Sequence, residues 1–142
     1  MILAYKSRKY VLLLGHYLIF ILFLYSAFSK ANKFELFVNN LDKSPFFANT
    51  YTSYIAIIVI AIEFLIPILL FSNRTTKLGY LLSFLLLFMF TGYIIMMMTL
   101  SPYLPCTCGG LLEVLSWNQH IYFNLFFMAI SFMLYSFFTE VE

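Results

Sequence analysis

Between Tyr10 and Ser29 the chain contains no lysine, arginine, aspartate or glutamate, and three more apolar runs follow: Tyr51 to Phe71, broken by Glu63, then Leu78 to Leu100 and Ile121 to Phe138. About 20 apolar residues cross the hydrocarbon of a bilayer as an α-helix, which satisfies its own backbone N–H and C=O groups where no water can. Four such runs in 142 residues leave room for little else. The expected fold is all-α: a polytopic membrane four-helix bundle in a single domain, residues 1–142, with spans at approximately 10–29, 51–71, 78–100 and 121–138. Only 10% of the residues are charged, against about 25% in a soluble domain, so a water-soluble fold is excluded. No basic run or RNA-type aromatic motif supports nucleic-acid binding.

Lys6, Arg8 and Lys9 precede the first run, as they would in a secretory signal. That run exceeds the roughly 7 to 15 apolar residues of a signal peptide, and Tyr25-Ser26-Ala27-Phe28 is a poor cleavage site, so an uncleaved first helix is expected. From Lys30 to Ser53 apolar and polar residues interleave, giving an amphipathic helix that Pro45 would end. It either lies along the membrane surface or packs over the mouth of the bundle. In the second run, one central acid opposes insertion by about 2.5–3.5 kcal/mol while each Leu, Ile or Phe favours it by about 0.3–0.6 kcal/mol. The run still spans, and Glu63 must face protein or water. Pro67 leaves the Glu63 carbonyl without its helical donor, which predicts a local kink.

Orientation follows from the lysines and arginines. With both termini inside, five of the eight (Lys6, Arg8, Lys9, Arg74, Lys77) are cytoplasmic and three (Lys30, Lys33, Lys43) are outside. The Ser101–His120 connection has neither residue type, as expected of an outer loop. The amphipathic helix between spans one and two is then extracytoplasmic as well.

That outer loop holds the only two cysteines, in Pro105-Cys106-Thr107-Cys108-Gly109-Gly110. A Cys106–Cys108 disulfide closes so small a ring that it removes little entropy from the unfolded chain, which makes it a weak staple and suits it to exchange. Gly109 and Gly110 supply backbone freedom, and a helix starting near Leu111 would favour a thiolate just before it. His120 shares a helix face with Trp117 and Asn124 and can take a proton from a thiol; otherwise it is an interfacial histidine beside a belt tryptophan. Glu63 is a proton-relay candidate, or else a group that only bonds a neighbouring helix, with His16 of span one as a possible partner. Met96, Met97 and Met98 point in three directions around a helix and cannot converge on one ion.

Taken together, several of these features resemble the MauE/DoxX family of small four-helix membrane proteins. They are Gly15 in an uncharged first helix, Lys33-Phe34 with Phe37-Val38, Glu63 with Pro67, Tyr93, Cys106-Thr107-Cys108-Gly109-Gly110, Ser116-Trp117 and His120 through Asn124. The likeness covers nearly the whole chain and is closest to the MauE branch. The resemblance implies a bacterial inner-membrane protein with extracytoplasmic thiol chemistry. MauE itself is linked to maturation of a disulfide-rich exported subunit, and DoxX relatives to quinone or thiol redox systems.

The expected function is therefore thiol-disulfide exchange with an exported thiol protein or a thioredoxin-like partner. Cys106, Cys108 and His120 would carry the chemistry, Glu63, His16, Trp117 and Asn124 would serve substrate or proton relay, and a quinone is the candidate electron acceptor. Two rival readings use other chemistry. One is a non-enzymatic subunit or carrier that binds a partner helix, a lipid or a small molecule. The other is a soft-metal site of Cys106, Cys108 and His120, disfavoured because zinc cysteines are usually two to four residues apart.

Overall fold

A computed structural model of the chain describes residues 2–44, 51–100 and 116–141. Pro45, the Cys106–Cys108 pair and the helix expected from Leu111 lie outside them, apart from Trp117. Five helices follow in order: α1 (Ile2–Asn32), α2 (Phe34–Asp42), α3 (Thr52–Phe71), α4 (Thr76–Leu100) and α5 (Trp117–Val141), with no strand among the described residues. All but α2 are long and apolar enough to cross a bilayer, over Lys9–Asn32, Thr52–Phe71, Thr76–Leu100 and Trp117–Phe138.

Each long helix buries a stripe at helical spacing and turns apolar bulk outward. On α5 the buried residues are His120, Asn124, Phe127, Ser131 and Leu134, alternating steps of four and three that keep one face inward. Tyr122, Phe126 and Phe132 are exposed on the same helix. Three polar groups of α5 thus sit inside while large aromatic side chains face outward, the reverse of a soluble helix and the arrangement that lipid demands.

α1 packs on α3 and α5, and α4 packs on α3 and most extensively on α5, closing a ring of antiparallel neighbours. Ile19, Phe23, Ile66, Leu70, Tyr80, Leu87, Phe127 and Leu134 fill its centre. Two hydroxyls within the spans are satisfied locally: Ser83 donates to the Gly79 carbonyl at 2.7 Å and Thr91 to that of Leu87 at 2.8 Å. The tight turn after α3 is held in the same way, by Thr76 donating to the Ser72 carbonyl at 2.8 Å.

Where α3 meets α4 a Cβ on Gly79 would stand 2.8 Å from Leu70 Cδ2. This is the close approach that small residues permit between membrane helices. Gly79→Val therefore lowers stability by about 1–3 kcal/mol through overpacking, to be read in reversible detergent unfolding, while an alanine that only nudges the end of Leu70 does less.

α2 is not a free interfacial helix. It packs mainly on α3 and buries Phe37, Asn40 and Leu41, with Phe37 and Leu41 in a cluster with Ala56 that Val59 and Tyr93 flank. Of the two arrangements open to it, the amphipathic segment adopts the one that covers the end of the bundle.

Candidate functional site

Glu63 lies on the inward face of α3, and its side chain is 1% exposed. At that depth a carboxylate requires a counter-charge, and α1 provides it. Lys30 Nζ donates to Glu63 Oε1 at 2.7 Å and to Ser26 Oγ at 2.6 Å, and Ser26 Oγ donates to Glu63 Oε1 at 3.1 Å. Ser26 and Lys30 are four residues apart, so one face of α1 presents both. Lys30 also falls in the last turn of α1, where the carbonyl ends of the helix favour a cation. Its Nζ stands 5.2 Å from the centre of the Phe90 ring and 5.7 Å from that of Phe37, within cation–π range. Glu63 Oε2 is buried with no hydrogen-bond partner among the described residues.

This cluster forms one wall of a cavity of about 210 Å³ to which all five helices contribute. The remainder is mostly apolar, aliphatic side chains together with the rings of Phe23, Phe37, Phe90, Tyr93, Trp117 and Phe123, with Asn40, His120 and Asn124 as further polar groups. His120 and Asn124 are buried. Their aim is set by the start of α5, where the Ser116 N–H donates to Gln119 Oε1 at 2.9 Å and the Gln119 N–H donates to Ser116 Oγ at 3.4 Å. This is a reciprocal capping box, which begins the helix at Trp117 and turns Trp117, His120 and Asn124 onto the cavity.

Four residues singled out from the sequence, Glu63, Trp117, His120 and Asn124, are thus brought to one site. His16 is not among them. Its Nδ1 lies 2.7 Å from the hydroxyl of Tyr80, edge-on to that ring, toward the opposite end of the bundle. The suggested His16–Glu63 contact does not form: at 1.5 Å per residue, His16 stands roughly 20 Å along the α1 axis from Lys30. Lys30 is the residue that sequence reasoning missed. Assigned to an outer loop because the uncharged run ends at Ser29, it instead belongs to α1 and is buried. The signal was its spacing, since Ile19, Phe23, Ala27 and Lys30 form a single buried stripe.

Cys106 and Cys108 lie outside the described residues. The connection that contains them runs from the end of α4 at Leu100 to Ser116, and α5 opens with two cavity residues, Trp117 and His120. Among the described residues no group of three or more His, Cys, Asp or Glu side chains could hold a metal ion; of the suggested Cys106, Cys108 and His120 set, only His120 is described. In the methionine run Met97 is buried, whereas Met96 and Met98 face outward.

Residues 8–137 match the family model described as "Methylamine utilisation protein MauE". No curated protein and no solved structure matches the chain.

Proposed function

The chain belongs to the MauE family, and from that premise we propose that it is a membrane-embedded thiol-disulfide redox protein that assists oxidation or maturation of exported proteins. The observation that carries this reading is the buried Lys30–Glu63–Ser26 cluster in a cavity at the end of the bundle where α5 begins. The α4–α5 connection, with the chain's only cysteines, returns to the bundle at that same end. A dithiol pair and a buried proton-handling cavity are two parts that disulfide chemistry needs.

The exchange runs in two steps. A partner thiolate attacks one sulfur of the Cys106–Cys108 disulfide; that S–S bond breaks and a mixed disulfide forms. The partner's second thiolate then attacks its own sulfur in the mixed bond and leaves as an oxidised disulfide. The partner has lost two electrons and two protons, and Cys106 and Cys108 have gained them as thiols. On this proposal His120, at the start of α5, carries one of the protons.

On this reading both termini are cytoplasmic and the cysteine segment faces the periplasmic side of a bacterial inner membrane. The charge asymmetry supports the orientation. With Lys30 paired inside the bundle, Lys33 and Lys43 remain against five cationic residues on the other side. The family's title associates it with methylamine utilisation; the proposal extends only to its thiol chemistry.

Serine at either cysteine removes the disulfide that the first step attacks and leaves one thiol. Its thiolate can still attack an oxidised partner, the second step in reverse, and the missing cysteine cannot then resolve the mixed disulfide. Cys108→Ser or Cys106→Ser, oxidised in the presence of periplasmic proteins, is expected to yield a reductant-sensitive adduct on a non-reducing gel. Both variants remaining free of any adduct contradicts the proposal. The largely apolar cavity favours a second reading, a non-enzymatic subunit or carrier that binds a lipid or small molecule. Function in cells that survives loss of both cysteines selects it.

A further inference from the structure

We propose that the cavity between the five helices binds the ring of a membrane-soluble quinone, with Glu63 Oε2 as a hydrogen-bond acceptor for the quinol form. The cavity, about 210 Å³, is larger than the about 150 Å³ engineered void that takes benzene. It is therefore large enough for one substituted ring. Its walls are mostly apolar, yet the Lys30–Glu63 pair stands on one side with opposite charges 2.7 Å apart. Such a pair leaves no net charge for a carboxylate or an ammonium ligand to meet, so the occupant is neutral. Glu63 Oε2 is buried without a partner among the described residues, and a ring hydroxyl can donate to it.

Entry is from lipid. Met89 lines the cavity and is also 70% exposed on the outer face of α4, so the site reaches the hydrocarbon beside it and a tail can remain in the bilayer.

The choice of a quinone among neutral ring compounds rests on the thiol reading above. When Cys106 and Cys108 close their disulfide, two electrons and two protons leave. A quinone takes up both pairs as its two carbonyl oxygens become hydroxyls, and it dissolves where this cavity opens. His120 and Glu63 are the cavity groups that can pass the protons.

Trp117 is the only tryptophan and lies on the cavity wall, so its fluorescence reports binding directly. Full-length protein in nanodiscs, titrated anaerobically with decylubiquinol, the form whose hydroxyl can donate to Glu63 Oε2, is expected to show saturable quenching. Glu63→Gln weakens binding on the order of tenfold, as loss of a hydrogen bond to a charged acceptor does. Val59→Phe, an apolar change that leaves the ion pair intact and fills the cavity, weakens it independently of any folding effect of Glu63→Gln. The Cys106→Ser/Cys108→Ser protein binds as the parent does. Quenching that rises linearly without saturation, or that Val59→Phe leaves unchanged, overturns the inference. Loss of saturable binding alongside a trapped mixed disulfide removes the quinone site and leaves the thiol reading standing. Saturable, variant-sensitive binding without any mixed disulfide keeps the site and removes that reading.

Discussion

Lys30→Met is expected to destabilise the folded bundle by about 3–5 kcal/mol, the cost of leaving one partner of a buried ion pair uncompensated. The magnitude follows from where the pair sits: the Lys30 side chain is 10% exposed and that of Glu63 1%, so little solvent screens either charge. Ser26 remains as the only described hydrogen-bond donor to Glu63 in the variant, and a neutral hydroxyl does not replace an ammonium. The double variant Lys30→Met/Glu63→Leu removes both charges and recovers most of the loss, because well-packed apolar residues substitute for a buried pair at little net change. Reversible unfolding of the reconstituted protein in SDS, followed by Trp117 fluorescence, measures each variant. A single variant as stable as the double one would show that the pair does not join α1 to α3.

On the proposed thiol reading, replacement of both cysteines by serine is expected to abolish exchange while leaving the bundle folded. Oxidation of a reduced exported protein falls to the uncatalysed rate, since the hydroxyl of serine can neither form nor receive a disulfide bond. Stability changes little, because a disulfide across one intervening residue closes too short a loop to restrict the unfolded chain. The two effects separate chemistry from scaffold. Lys30→Met acts mainly on stability, whereas Cys106→Ser/Cys108→Ser acts on turnover alone. Far-UV circular dichroism and the rate of partner oxidation, measured on the same preparations, make the distinction.

The spans were legible because hydrocarbon imposes a length and a composition that few residues satisfy by chance. Part of the site was legible for a related reason. Glu63 within an apolar run has to face inward, and Trp117, His120 and Asn124 repeat at helical spacing. Lys30 was obscured because the end of an uncharged run resembles the end of a helix, and a lysine neutralised by a carboxylate on another helix breaks that rule. Its partner lies on α3, and no local pattern on α1 shows that. The Ser116–Gln119 capping box was present in the sequence as Ser-x-x-Gln, a signal that α5 starts ahead of the apolar run at Ile121. The partner of His16 depended on depth in the bundle: Tyr80 stands at its level and Glu63 does not.

Labelling of intact cells with a membrane-impermeant maleimide, before and after mild reduction, tests the thiol account most directly. The account predicts that Cys106 and Cys108 resist the reagent in untreated cells because they are paired, and accept it after reduction without permeabilisation. Labelling that requires permeabilised membranes, or that proceeds fully without reductant, would contradict it.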